Sequence, residues 1–373
     1  MKKVLFVCGS LEPGHDGVGD YTRELAGALK KRELEVKIIS IRDRNVVNAS
    51  EESQPAREED VDVVRLSMSL SLKNRRKEYQ RVIAEYNPNY ISLQYVPYAF
   101  SSKGIPFGLP RFLNTEDSRI KWHFMIHEGY IDGTLNFKDN LIKRSQIAVL
   151  KSLEKKLKPE IIDTSTHQYQ SCLSAIGLKS QILGLFGNIP ILKTGEHKSD
   201  DGISRGVYFG ASPNFENMNA FVEPIRRFLE ETNEKLEITL CGQSGEKGKR
   251  FAALLRARVG SNSFTVQEKG RMSSEDLSKL FLHMDFGIAR IPPQLLGKSG
   301  SAIALLEHGL PLWIPLAKSQ DEIKKNFDFR LNQCFGDLAD LKKSKYSFDS
   351  GSRLEEIVDS FIQKLTWSQE VVV

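Results

Sequence analysis

Gly297-Lys298-Ser299-Gly300-Ser301 carries the densest chemistry in this sequence, because Gly-Lys-Ser closes the phosphate-binding loop of many ATPases and kinases. The full loop pattern requires its first glycine at position 292, and the residue there is Pro292. Pro292-Pro293 also lack the amide hydrogens that such a loop aims at phosphates. The kinase reading therefore fails. What survives is a helix start: free first-turn amides, the positive end of the helix dipole, and the charge of Lys298. Arg290, at the end of the apolar strand expected over 285–289, supplies a second cation. Two cations and a helix N-terminus suit a diphosphate held without a metal ion. The plain alternative is that Ser299 or Ser301 only caps the helix.

His127-Glu128 closes a second apolar run, Lys121 to Ile126, at the carboxyl end where an open α/β sheet presents catalytic groups. A lone histidine after a strand is otherwise structural. Leu93 to Gly104, LQYVPYAFSSKG, places Gln94, Tyr95 and Tyr98 after another strand. Those rings could stack on a sugar acceptor or pack into the core. Gly17 and Gly19 either let the backbone approach a sugar or phosphate closely or serve a tight turn. Cys8, Cys172, Cys241 and Cys334 are widely spaced and have no histidine partner at metal-ligand spacing, which reads as reduced, mostly buried thiols. No acidic D-x-D-like cluster stands in a suitable context for a divalent ion, so the chemistry is expected to be metal-independent and to need no cofactor.

Positioning these groups requires alternating strands and helices. The 373 residues exceed what one hydrophobic core usually serves, so two domains are expected. Val4–Cys8, a Gly/Pro-rich turn, a helix over Tyr21–Lys31 and a strand over Glu35–Ile41 form a βαβ unit and predict a parallel sheet. Arg42–Asp60 reads as an exposed loop. The alternation continues to Phe186 and resumes at Val207, with a helix over Gly300–Glu307 and a strand over Leu312–Ile314. The fold class is α/β, with two tandem Rossmann-like, doubly wound parallel-sheet domains facing a central cleft. The expected divisions are 1–193, a linker over 194–206, a second domain over 207–350, and a C-terminal helix within 351–373 that packs back on the first domain. The net charge of +5 is spread along the chain, too weak to argue for nucleic acid. No run approaches the ~18 apolar residues of a spanning helix, and the N-terminal apolar run is shorter than the ~7 residues of a signal core. A cytoplasmic protein is expected, with peripheral membrane contact open through the basic runs 73–77 and 151–158.

Strand, loop, helix, then Gly309-Leu310-Pro311 and a short apolar strand resembles the C-terminal donor domain of GT-B glycosyltransferases, in the superfamily that contains the family-four enzymes. GHDGVGDYTRELAGALKKRELEV resembles their opening, KWHFMIHE the histidine that ends an N-domain strand, and VYFGAS the start of the donor domain, all in the same order. The resemblance covers nearly the whole chain and implies transfer of a sugar from a nucleotide-diphosphate sugar to a saccharide or lipid-linked acceptor. It implies that His127 contacts the transferred sugar or acts as general base, with Glu128 the alternative base or an orienter. It also implies donor binding around Gly210, Arg290, Lys298, Ser299, Gly300 and Ser301. The glutamate pair usual in those enzymes is absent, its positions being held by Leu296 and Ala304. Glu307 either reaches the nucleotide ribose in their place or is a solvated helix charge. A sugar-nucleotide epimerase and a non-catalytic nucleotide-sugar-binding protein are the alternatives.

Overall fold

The computed structural model describes residues 2–115, 117–133, 136–192, 201–211, 218–242, 245–317, 319–326, 334–342 and 351–367. The chain divides into two compact units, 1–184 with 354–373, and Leu185–Arg353.

In the first unit β1 (Lys3–Cys8) leads to α1 (Gly17–Lys31) and β2 (Glu35–Asp43), followed by β3 (Ser50–Gln54) and β4 (Val61–Ser67). Then come α2 (Leu72–Tyr86), β5 (Tyr90–Tyr95), the short α3 (Pro97–Phe100) and α4 (Leu109–Leu113), and β6 (Lys121–Ile126). α5 (Phe137–Leu157), β7 (Ile161–Thr164), α6 (His167–Ala175) and β8 (Gln181–Ile182) complete the run. The sheet order is β3-β4-β2-β1-β5-β6-β7-β8. Only β3 runs antiparallel, against β4. β5 is buried along its whole length, and β1 and β6 from their second residue on, which explains why these strands read as unbroken apolar runs.

In the second unit β9 (Ile203–Phe209), α7 (Asn219–Thr232), β10 (Lys235–Cys241), α8 (Gly245–Val259) and β11 (Phe264–Gly270) form one half. α9 (Ser274–Leu282), β12 (Phe286–Ile288), a 3-10 turn over Pro293–Lys298, α10 (Gly300–Glu307), β13 (Leu312–Trp313), α11 (Gln320–Asn326) and β14 (Cys334–Phe335) form the other. The sheet is parallel, in the order β11-β10-β9-β12-β13-β14. The chain then returns to the first unit as α12 (Leu354–Trp367). There Phe361 stacks on Phe6 with centroids 5.7 Å apart, the Tyr90 hydroxyl donates to the Leu365 carbonyl at 2.8 Å, and Arg32 pairs with Glu355 and Asp359.

Three segments differ from the sequence reading. The loop expected over Arg42–Asp60 contains β3, whose sequence SEESQ has no apolar period to betray a strand. It is an edge strand, and its charged, exposed residues suit that place. Gly17 lies in the first turn of α1, not in a loop before it, because Asp16 caps the helix by accepting from the Val18 and Gly19 amides. Of the linker expected over 194–206, residues 194–200 lie outside the described residues, as do 343–350 and 368–373. The remainder is strand from Ile203, held between β10 and β12. Gly206 is obligatory there: a Cβ would come within 2.4 Å of the Phe286 ring.

Candidate functional site

The phosphate-type chemistry belongs to the second unit. Ser299 caps α10 and its hydroxyl accepts from the Ala302 amide at 3.2 Å, so the reading of Ser299 as a cap is correct and leaves the Gly300 and Ser301 amides in the first turn. Ser299 and Ser301 hydroxyls lie 3.1 Å apart. Gly210 follows β9 with φ +140°, and a Cβ there would lie 3.6 Å from the Ser301 hydroxyl oxygen. The chain turns beside it by a stacked device. The Gly210 amide donates to the Cys241 carbonyl and the Gly242 amide to the Gly270 carbonyl, at the ends of three adjacent strands. Gly242, at φ +114°, has no room for a side chain: its Cβ would meet the Gly210 carbonyl at 2.4 Å. Gly242→Ala is expected to destabilise the second unit by roughly 2–4 kcal/mol, read as a lowered urea midpoint at unchanged m. Arg290, just past β12, lies close enough to Tyr208 for its charge to oppose the rise that burial imposes on that phenol, which still reaches about 12. Lys298 ends the 3-10 turn that delivers the chain to α10. The structure thus brings Gly210, Ser299, Gly300 and Ser301 to one corner of the unit, at the carboxyl end of β9 and the start of α10.

In the first unit His127 is buried one residue beyond β6. Its Nε2 lies 2.9 Å from Gln94 Oε1, and its ring meets Tyr21 edge-on at 5.1 Å. Burial, assisted by the nearby His123, pushes its pKa down from 6.5 to about 3. At working pH the imidazole is therefore neutral and a weak base. It can accept or donate a hydrogen bond, but it is poorly matched to abstracting a proton. The sign of the stability effect follows. An unfolded chain protonates this histidine below pH 6.5 while the folded one does not, so stability falls as pH drops from 6.5 towards 3. The loss at pH 5 is expected to be about 2 kcal/mol. His127→Gln should flatten that part of the pH–stability curve, as measured by chemical denaturation at pH 7 and pH 5. Glu128 is half-buried next to it, its amide 3.4 Å from the Tyr95 carbonyl.

For other residues the structure decides between the readings the sequence left open, or departs from both. Tyr95 is wholly buried and stacks on Phe100 at 6.0 Å, leaving no face for a sugar. Gln94 is equally buried, occupied by His127 and Ser92. Tyr98 is exposed, and Gly104 makes room for its ring. Gly19 gives close approach to the protein itself, since a Cβ would strike the Ser10 carbonyl at 2.6 Å, whereas Gly17 faces open space. Glu307 is neither a ribose ligand nor a solvated charge. It is fully buried, and its carboxylate accepts from the Gly187 amide at 3.1 Å and the Arg353 amide at 2.8 Å. Those amides belong to the first and last segments of the second unit, so Glu307 holds its two ends together.

The sequence reading missed two polar groups in the first unit. Asp43, at the end of β2, is buried and gathers the Leu11 and Asn45 amides, the Ser10 and Ser40 hydroxyls and the Arg65 guanidinium. Burial alone would raise its pKa, yet Arg65 and the amides outweigh it and hold the carboxyl below its ordinary value. Ser92, His123 and Asp163 form a buried row across β5, β6 and β7. Polar letters inside otherwise apolar strands, His123 in KWHFMI and Asp163 in IIDT, were the available signal.

No family model and no curated protein matches the chain. Solved structures do. HepE from Anabaena, in complex with UDP and glucose, is similar over 98% of this chain and 100% of its own, at 12% identity and a TM-score of 0.57. The catalytic domain of starch synthase IV from Arabidopsis thaliana, bound to ADP and acarbose, is similar over 99% of both chains, at 11% identity and 0.56. UDP-GlcNAc 2-epimerase from Methanocaldococcus jannaschii is similar over 98% and 100%, at 12% and 0.55. These similarities show the GT-B fold for this chain.

Proposed function

We propose that the protein is a glycosyltransferase that moves a sugar from a nucleoside-diphosphate sugar to a saccharide or lipid-linked acceptor without a metal ion. The observation that carries this reading is the corner of the second unit where the Gly210 turn meets the first turn of α10, with Lys298 leading into that helix. Breaking the bond between sugar and diphosphate builds charge on the leaving phosphates. Backbone amides at a helix start, with a lysine and an arginine nearby, stabilise that charge without reorganising. Gly210 leaves the space in front of Ser301 clear for a phosphate oxygen. The neighbours crystallised with UDP or ADP support the donor class. His127, neutral and buried, serves the sugar as a hydrogen-bonding contact, and Glu128 is the better-placed base. No helix of the described residues is long and apolar enough to cross a membrane. The reading places the enzyme in the cytoplasm, with peripheral membrane contact for a lipid-linked acceptor.

The test begins with thermal shifts against nucleoside diphosphates and their sugars, since a ligand selective for the native state raises the melting temperature by mass action. UDP or ADP at a hundred times its Kd should stabilise by about 2.7 kcal/mol. Transfer to an acceptor panel should then persist in EDTA; loss of turnover restored by a divalent ion would refute metal independence. The epimerase neighbour favours a second reading, conversion of the donor with no acceptor. Incubating the donor alone and following it by NMR separates the two, and tight binding with neither reaction would identify a non-catalytic binding protein.

A further inference from the structure

A single row of hydrogen bonds crosses the first unit from His127 to α12. His127 Nε2 meets Gln94 Oε1 at 2.9 Å, Gln94 Nε2 meets Ser92 Oγ at 2.8 Å, and Ser92 Oγ meets His123 Nδ1 at 2.8 Å. His123 Nε2 meets Asp163 Oδ2 at 3.2 Å, and Lys364 Nζ of α12 donates to Asp163 Oδ1 at 2.5 Å and to the Ile182 carbonyl at 2.9 Å. Gln94, Ser92, His123 and Asp163 are all at most 1% exposed, so water does not compete for these bonds.

The far end fixes the direction of the row. A carboxylate beside an ammonium is an acceptor only, so His123 Nε2 carries the hydrogen. In a neutral His123 the Nδ1 is then an acceptor and the Ser92 hydroxyl must donate to it. Ser92 in turn accepts from the Gln94 amide NH₂, which turns Gln94 Oε1 towards His127 and requires hydrogen on His127 Nε2. The opposite arrangement needs one more proton, on His123 Nδ1. Ser92 would then accept from His123 and donate to Gln94, the amide would flip, and His127 would carry its hydrogen on Nδ1.

We propose that Lys364, acting through Asp163, His123, Ser92 and Gln94, is a positioning residue that holds His127 in the Nε2–H tautomer and keeps its Nδ1 as a hydrogen-bond acceptor. An acceptor at Nδ1 takes the hydrogen of a sugar hydroxyl and leaves more negative charge on its oxygen, whereas a donor there would address the oxygen instead. The catalytic consequence rests on the role proposed above for His127, whereas the tautomer stands on the row alone. The docking of α12 and the state of His127 are in this way one equilibrium.

The experiment reads the ring nitrogens by long-range ¹H–¹⁵N correlation in the full chain, which distinguishes a protonated from a bare nitrogen without turnover. The wild type should show a protonated Nε2 and a bare Nδ1 for His127. Lys364→Met removes the cation, leaves Asp163 to pair with a doubly protonated His123, and should move the His127 hydrogen to Nδ1. Lys364→Arg should restore the wild-type pattern. Ser92→Ala, which cuts the row without touching Asp163 or Lys364 and removes only a hydroxyl, should give a mixture of His127 tautomers and is the recourse should Lys364→Met not fold. In transfer assays both disruptive variants should lower kcat about tenfold at unchanged KM for the donor. An Nδ1–H tautomer in the wild type overturns the proposal. So does a His127 pattern that is unchanged in the folded disruptive variants, even where kcat falls. The expected tautomers with no transfer by any form of the protein would sustain the positioning role and reject the transferase reading instead.

Discussion

Asp43→Ala is expected to cost about 3–5 kcal/mol of folding stability, a large share of what a domain of this size possesses. The magnitude follows from what the carboxylate holds. Arg65, its guanidinium 2.9 Å away at Nε, is almost as buried as Asp43, and removing the anion leaves that cation with two half-exposed partners, Glu12 and Glu52. The Leu11 and Asn45 amides lose their acceptor at the same time. Both amides lie on loops that follow strand ends, the first between β1 and α1, so the loss falls on the segment that sets the N-terminal cap of α1. Arg65→Met is the informative contrast. It removes the cation but leaves Asp43 its two amides and two hydroxyls, and should cost less. Urea denaturation of both variants decides the matter. A cost below about 1 kcal/mol for Asp43→Ala would mean that Arg65 finds full compensation from Glu12 and Glu52. Because the Asp43 pKa is held below its ordinary value, the group contributes stability above that ordinary value and loses it as pH falls through the lowered one. The wild type should therefore lose stability below about pH 4 more steeply than Asp43→Ala does.

How much of this could be read from the letters depends on which force sets each feature. Strands buried on both faces are long apolar runs, and β6 was legible to the residue; the helix α10, with its capped start, was equally so. The two-unit α/β order followed from alternation of period. β3 was hidden because an edge strand is held by backbone pairing to β4 and leaves its side chains polar. The start of β9 was hidden for the opposite reason, since Gly206 and Arg205 read as linker while the ladder to β10 and β12 makes them strand. For the site, the helix start at Ser299 was visible because its chemistry is local, whereas Gly210 entered only through the resemblance and its turn was not read. Glu307 was misjudged because its partners, Gly187 and Arg353, come from tertiary packing that spacing on a helix does not report, and for Tyr95 packing against Phe100 decided between the two readings the sequence left open. The row from His127 to Lys364 joins three strands in register to a helix that is remote in sequence, and only the three-dimensional pairing of β5, β6 and β7 assembles it.

The second large effect is expected on binding. Lys298→Ala and Arg290→Ala should each weaken a nucleoside diphosphate by roughly 10- to 100-fold, the loss of one charge-assisted hydrogen bond of about 1.5–3 kcal/mol. Lys298→Met is the stricter variant, because it keeps most of the aliphatic stem and removes only the charge. Specificity for the phosphates is the feature to measure. The nucleoside alone, which lacks the anionic part, should bind wild type and variants with equal affinity, whereas the diphosphate should separate them. The same data should show a salt dependence that shrinks in each variant, since one fewer ion pair is screened. Calorimetric titration of UDP, ADP and the parent nucleosides tests all of this in one series. Wild-type affinity for the diphosphate in both variants, with the fold intact by circular dichroism, would remove Arg290 and Lys298 from the phosphate site. The α10 amides would then carry the proposed phosphate contact among the described residues. A donor that loses affinity in the variants without the phosphate dependence would instead place these cations on the sugar or the base, and leave the leaving-group chemistry to the helix alone.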